Sequence, residues 1–564
     1  MPSFPRVSSF LGIAPAFALS AALALLGPLR LSARVDKTPY LTQTKGALVY
    51  QADKDGNRLP DFSTAGYGGG GVPLPLATAR VSVTPSGGDD GARIQAAIDF
   101  VSQLPLGSDG LRGAVLLSKG SFLISGQIVI ASSGVVLRGE GEGAGGTLLV
   151  ATGTSRRALI DVRGPHAPAV ATRAVAVADA LVPLGALRLR LAEAAHGFKA
   201  GEIVVVQRPS TKEWIEALGM HEAPGPTNYF WRPGSVSLSW TRTITAVEGD
   251  SITLDSPLTT ALERRFGGAT VASLDCGGLL NRVGVENLRC EAQVSGANPQ
   301  DEEHAWTAVS MDRVRDGWVN RVTGLHFAGS FILLGSACDR VTVQDCRSLA
   351  PVSELAGYRR HSFHSSGQRV LFLRCESERG RNDFTTGYQT AGPVVFLECT
   401  ARESTGFSGS VGSWSSGLLF DNVNIDGGAL RLDNLGIFQQ GVGWSAANSV
   451  LWQCSASLVS CSNPPGARNY AFGAWGQFSG DGIWQSANAF VDPKSLYRAQ
   501  LAQRLGPQAE AALAPSRFEA PTQPGVLALE NAVPDLARRL VPAPPPKGLP
   551  VSLENGWLVA GGSF

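Results

Sequence analysis

Short runs of alternating apolar and polar residues recur through the middle of the chain. They are VENLRC ending at Cys290, WVNRV at Val322, VTVQDC at Cys346, VLFLRC at Cys375, VVFLEC at Cys399, LLFDNV at Val423 and SVLWQC at Cys454. Each run has the period of two that marks a β-strand, and a polar break follows it. The runs return every 24 to 32 residues with no helical pattern between them. A second marker keeps the same beat: HSSG at 364–367, QTAG at 389–392 and WSSG at 414–417 set glycines 25 residues apart. Short strands at this period predict a parallel β-solenoid, in which no coil buries its inner face alone and equivalent side chains stack in columns. Free cysteine packs as a small apolar side chain, so the recurring cysteines are read as one such core column.

Other patterns flank this run. In GGDDGARIQAAIDFV (87–101), Ile94, Ala97, Ile98 and Val101 fall on one face of an amphipathic helix. Residues 168–272 break the period. FKAGEIVVVQRP and TRTITAVEGDSITLDSPLT read there as strands of a small antiparallel insertion, with EGD as a hairpin turn. TKEWIEALGMHEAPGPTNYFWRPG within it reads as an aromatic loop. The insertion either walls a groove or extends the scaffold. SLYRAQLAQRLGPQAEAALA predicts a helix covering the far end of the solenoid, followed by the Pro-rich linker VPAPPPKGLP and a tail. The expected organisation is therefore a signal segment (1–33), cap and first coils (48–167), inserted β subdomain (168–272), main coils (273–490) and a C-terminal helical segment with tail (491–564).

Composition narrows the class. Hydrophobic residues make up 44% of the 564 positions, charged residues only 17%, and there are 67 glycines. That balance suits a turn-dense all-β architecture. A net charge of +1 leaves no electrostatic footprint for nucleic acid. At the amino terminus, Arg6 precedes an apolar run from Phe10 to Leu29 that Pro15 and Gly27 interrupt. It reads as a secretory signal cleaved near Ala33, with a retained anchor as the alternative. The mature chain is then secreted or periplasmic, with no membrane partner beyond that segment. None of the eight cysteines forms a CxxC pair, so no zinc site is expected. Export is compatible with a Cys454–Cys461 or Cys276–Cys290 disulfide.

The segment 87–101, with RGAVLLSKGSFLISGQIVIASSGVVLRGEG (112–141) after it, resembles the opening of right-handed parallel β-helix proteins of the pectate-lyase-like superfamily. DFSTAGYGGGGVPLP (61–75) resembles segments preceding the cap in bacterial members. The likeness covers about residues 48 to 490. It implies a right-handed parallel β-helix with an N-terminal capping helix. It implies no single reaction, since the superfamily holds lyases, hydrolases, transferases and phage adhesins.

The densest chemistry lies in GYRRHSFHSSG (357–367), which carries two of the seven histidines behind an Arg-Arg pair. Aligning on the glycines stacks His364, Gln389 and Trp414 in consecutive coils. With Phe363 in the core, strand alternation turns Arg360 and His364 to solvent and His361 the other way. Arg379, Arg381 and Asp383 follow in the next coil; Asp301, Glu302, Glu303, His304 and Trp306 lie in an earlier turn. Such a row suits an acidic polysaccharide, because aromatic rings stack on sugars and arginine pairs with carboxylates. Turn arginines also form exposed ion pairs worth under about 1 kcal/mol, the bland reading of the same residues.

For β-elimination on a uronic acid, Arg360 or Arg381 would neutralise the carboxylate. His364 or His361 would be the base and Tyr358 the proton donor. Gln389, Trp414, Arg379, His304, Trp306 and Glu303 would bind substrate. For hydrolysis, Glu303 and Asp383 are the expected pair, about 6.5–9.5 Å apart for inversion. The NTD and DD signatures of β-helix polygalacturonases are absent from the expected coils. A lyase without a resident cofactor is the leading expectation. Many lyases of the superfamily use calcium, and DEE at 301–303 offers oxygen ligands for it. A non-catalytic adhesin is the third reading.

Overall fold

The computed structural model describes residues 35–37, 40–44, 47–222, 230–296, 298–515, 525–533, 552–554 and 557–559. The expected signal segment and the Pro-rich linker lie outside them. From Val35 onward the chain is one unit.

Each coil of the main run lays down three short strands, and each strand pairs in parallel with its counterpart one coil later. The first wall holds Ile332–Leu334, Phe363–Ser365 and Phe384–Thr386 in register. The second holds Thr342–Gln344, Val370–Leu373 and Ala391–Leu397. The third holds Arg347–Leu349, Glu376–Glu378 and Thr400–Arg402. This is a parallel β-helix, right-handed as the twist of L-residue strands favours. The core runs down its axis. Phe372, Phe396 and Phe420 stack at 4.8 Å between ring centroids, the spacing of the strands that carry them.

The turn from second to third wall explains the sequence repeat. Arg321, Asp345, Arg374, Glu398, Asn422 and Gln453 all adopt left-handed conformations there, with φ of 50–56°. Such φ values are uncommon outside glycine. Here the N–H of Asp345, Arg374, Glu398, Asn422 and Gln453 donates to a carbonyl of the next coil, at 2.7–2.9 Å. The residue after each turn points inward, building the column Val322, Cys346, Cys375, Cys399, Val423 and Cys454. The structure corrects one member. Asn287 holds the equivalent turn at φ 57°, so Leu288 leads the column and Cys290 lies two residues beyond it. All eight cysteines are free thiols, so neither disulfide forms.

The helix Gly91–Gln103 buries Ile94, Ala97, Ile98 and Val101 against the first coils. Its end of the barrel also receives the C-terminal segment: Leu527 pairs beside Val81, and Arg93 meets Glu530 at 2.9 Å. The edge of the first strand is thereby covered. The helix Leu496–Leu505 does not close the far end as expected. Leu496, Tyr497 and Leu501 pack on the outer side of the second wall, against Leu371, Leu397 and Leu419, together with Leu59 and Phe62. That wall is apolar on both faces, so its outer side needs a cover. In the arm beside it, Gly70 has φ 80°, and a Cβ there would lie 2.1 Å from the Ser63 carbonyl oxygen.

Between Ala169 and Asp275 an antiparallel six-stranded sheet stands outside the coils. Its turn at 249–250 is the EGD hairpin, and TKEWIEA forms the helix Lys212–Ala217, capped by Thr211. Buried cations fasten this sheet to the β-helix. Arg242 reaches the Gly392 carbonyl at 2.9 Å, and Arg369 bridges Asp339 and Asp255 at 2.6 Å each.

Candidate functional site

The outer face of the first wall is a register column: Asp161, Ser310, Leu333, His364, Thr385, Gly409 and Arg431 lie on successive strands. His364 therefore neighbours Thr385 rather than Gln389, and its Nδ1 shares a 2.9 Å hydrogen bond with the Thr385 hydroxyl. Gln389 and Trp414 occupy left-handed turns between the first and second walls, at φ 46° and 49°. The glycine spacing aligned turns with a strand, and the predicted column of three fails for that reason.

Segment 350–361 arches over this wall. The strand starts only at Phe363, and Arg360 precedes it in a left-handed conformation, so strand alternation does not reach back to Arg360. Its guanidinium turns to Ser353, donating to the hydroxyl at 3.1 Å and the carbonyl at 2.6 Å. Phe363 enters the core as expected. His364 points away from the core yet is only 4% exposed, because the arch covers it. His361 is buried beside it.

The arch brings rings together. Tyr358 and His361 lie 5.7 Å apart between centroids, and His361 and His364 lie 6.0 Å apart. The Tyr358 hydroxyl donates to Gln439 Oε1 at 3.0 Å, and the Tyr388 hydroxyl approaches the Gln439 carbonyl at 3.5 Å. Arg381 Nη1 donates to the Gly357 carbonyl. The His361 Nε2 atom is buried without a partner. Burial, with His364 and Arg381 nearby, holds the His361 imidazolium far below the usual histidine range. Burial alone takes His364 down to about 4. Burial and then Tyr388 push the Tyr358 phenol up. At neutral pH the cluster thus offers two neutral imidazoles and a firmly protonated tyrosine. Tyr388 and Gln439 were not singled out in the sequence. Gln439 arrives from a separate excursion at 433–445, for which the repeat gives no signal.

The turn at 301–306 forms a clasp under the arch. Arg359 grips Glu302 with two hydrogen bonds, at 2.7 and 2.9 Å. Trp306 is buried, with the guanidinium carbons of Arg156 and Arg359 5.2 and 5.3 Å from its ring centre. Glu303 is exposed and pairs with Arg156 at 2.6 Å. Asp301 accepts the Ser295 and Glu303 amides. His304 is fully buried and donates from Nε2 to the His326 carbonyl at 2.9 Å. The DEE carboxylates are thus committed to cations and amides, and no three metal-ligating side chains converge among the described residues.

Three further expectations change. Asp383 is fully buried, accepts hydroxyl hydrogen bonds from Ser377 and Ser404 at 2.5 Å, and has its carboxyl pushed up by burial. It cannot flank a glycosidic bond with Glu303. Arg379 is exposed and pairs with Glu403 at 2.8 Å. Trp414 is 1% exposed and packs against Trp214 and Trp231, so no sugar stacks on an open face of it along the first wall.

No family model matches the chain, and no curated protein matches it. Among solved structures it is similar to the tailspike protein gp49 of Pseudomonas phage LKA1, at 13% identity and TM-score 0.37, covering 72% of this chain and 71% of that one. It is similar to the endo-xylogalacturonan hydrolase of Aspergillus tubingensis, at 10% identity and TM-score 0.31, over 73% and 94%. It is also similar to the A-module of the mannuronan C-5 epimerase AlgE6 of Azotobacter vinelandii, at 10% identity and TM-score 0.26, over 72% and 88%. The fold rests on the strand pairings above, and the activities in these names belong to those proteins.

Proposed function

We propose that this chain is an exported enzyme acting on an acidic polysaccharide, cleaving uronic-acid linkages by β-elimination at the Tyr358–His361–His364 cluster. The observation that carries this reading is the contiguous ring contact of two neutral imidazoles and a protonated tyrosine, beside Arg381.

Elimination needs a base for the proton α to the carboxylate, a cation for the charge that builds on that carboxylate, and an acid for the leaving oxygen. His361, with its unpartnered Nε2, is the base. Arg381 is the cation. Tyr358 is the acid, its proton held until the glycosidic oxygen leaves. The C–H and C–O bonds break, a C=C bond forms next to the carboxylate, and the Tyr358 proton ends on the departing hydroxyl. Proton transfer between the rings resets the site. Because His364 lies under residues 350–361, which themselves carry Tyr358 and His361, substrate entry requires the Arg359–Glu302 clasp to open and the segment to settle back over the bound sugar before reaction.

Hydrolysis keeps one specific support. On the same outer column Asp161 is buried, with Oδ1 lacking a partner. Burial, and after it Asp312, raises its carboxyl, although Arg163 pairs with it at 2.9 Å. Two neighbouring carboxyl groups, one of them raised by burial, are the kind of pair that an inverting or retaining hydrolase uses.

A panel of uronic-acid polysaccharides separates the readings. The elimination reading expects ultraviolet absorbance from the new conjugated double bond, abolished in Tyr358→Phe. New reducing ends without that absorbance, lost in Asp161→Asn, would transfer the function to Asp161 and the neighbouring Asp312. Binding without cleavage would make the protein an adhesin.

A further inference from the structure

Beside the inserted sheet lies a cavity of about 400 Å³, within the range of ligand pockets. Arg208, Trp214, Thr260 and Glu263 line it from the insertion, Trp414 and Tyr470 from the β-helix. We propose that this cavity is a binding site for a carboxylate-bearing sugar residue, with Arg208 as the group that selects the charge.

Arg208 ends the strand Ile203–Arg208 and is 1% exposed. Its guanidinium carbon sits 4.3 Å over the Trp214 ring, and neither Nε nor Nη1 has a hydrogen-bond partner. Burial takes its pKa down to about 10, with Glu263 opposing the fall from beyond ion-pair distance, so it remains a cation at neutral pH. A buried, unpaired charge is strongly unfavourable, and its persistence points to an anion that completes it. Other charges around the cavity already neutralise one another: Glu263 pairs with Arg265 at 2.5 Å and Asp53 with Arg468 at 3.4 Å. Among the residues lining the cavity, Arg208 is the guanidinium without a carboxylate at ion-pair distance.

The remaining donors define the ligand. Trp414 Nε1 and Thr260 Oγ1 are also buried without partners. Nε and Nη1 of an arginine lie on different edges of the guanidinium, so one small anion satisfies one edge and leaves the other. A sugar acid brings carboxylate oxygens for one edge and ring hydroxyls for the other, for the indole N–H and for the threonine. The aromatic walls suit its apolar ring face. With Glu263 and Asp53 paired to Arg265 and Arg468, Arg208 offers a single positive charge, which matches a carboxylate rather than a multiply charged anion such as phosphate. The site makes no use of the Tyr358 cluster and stands apart from the chemistry proposed there.

The test is titration of the full chain with D-galacturonate, D-galactose and sulfate, read by tryptophan fluorescence of the ring cluster around Trp214 and Trp414. Galacturonate should bind saturably and galactose at least tenfold more weakly, with sulfate failing to displace it. Arg208→Met should weaken galacturonate at least tenfold, without lowering the melting temperature because a buried unpaired charge is removed. If that variant does not fold, Thr260→Val serves, with a several-fold loss expected. Tyr358→Phe should bind as the wild type does. Equal binding of galactose, displacement by sulfate, unchanged affinity in the Arg208 or Thr260 variant, or loss in Tyr358→Phe would each overturn the assignment.

Discussion

His361 on the backbone arch and His364 beneath it lie with ring centroids 6.0 Å apart, and both are neutral at physiological pH because burial opposes their charge. The folded protein binds a proton at His364 less tightly than the unfolded chain does. Above about pH 6.5 both states are neutral and the difference has no effect; below it the unfolded chain gains protons first. Stability from this residue is therefore lost as pH falls from about 6.5 to about 4. Urea unfolding of wild type and His364→Gln at about pH 7 and pH 4.5 should show the wild-type advantage shrinking by about 2–3 kcal/mol. An unchanged difference would mean the imidazole is solvated.

The clasp on the arch is testable separately. Glu302→Gln removes the charge that Arg359 grips with two hydrogen bonds. A charge-assisted pair of this kind contributes about 1.5–3 kcal/mol. Amide hydrogen exchange in residues 350–361 should accelerate by roughly tenfold or more, with the coils beneath unchanged.

The Arg369 bridge predicts a larger loss. Arg369 is buried between Asp339 and Asp255, and although burial alone would lower its pKa, the two carboxylates raise it. Arg369→Met leaves buried Asp339 with only the longer Arg315 contact at 3.5 Å and should destabilise by about 3 kcal/mol in denaturant melts. Asp255 lies on the insertion, so the variant should also loosen that sheet in hydrogen exchange.

The cysteine column predicts tolerance. Valine already fills its positions at 322 and 423, so Cys399→Val should cost under about 1.5 kcal/mol. Because all eight thiols are free, a reducing agent should leave the melting temperature unchanged.

These residues show what the sequence made legible. The inward column was readable because each coil must place a small apolar side chain after the same turn, and only Cys290 was misassigned, by the two residues that a strand period permits. The cap was readable because Ile94, Ala97, Ile98 and Val101 share a helical face. The outer face was not. No repeat rule fixes how far a loop such as 350–361 arches over a wall, so Arg360 went to Ser353 and His364 was covered rather than exposed. Asp383 looked like a turn carboxylate, but two serines from adjacent coils draw it inward. The Arg208 cavity depends on an insertion packing against coils some 200 residues later, and no local pattern encodes that contact.

The measurement that bears most directly on the central claim is the ultraviolet absorbance of a uronic-acid polysaccharide incubated with wild type and with Tyr358→Phe, alongside a binding isotherm for each. The account predicts a steady rise for wild type, a fall of roughly 10²–10⁴-fold for the variant as expected for loss of a general acid, and similar affinities. Equal rates in the two proteins, or fresh reducing ends with no absorbance, would contradict it.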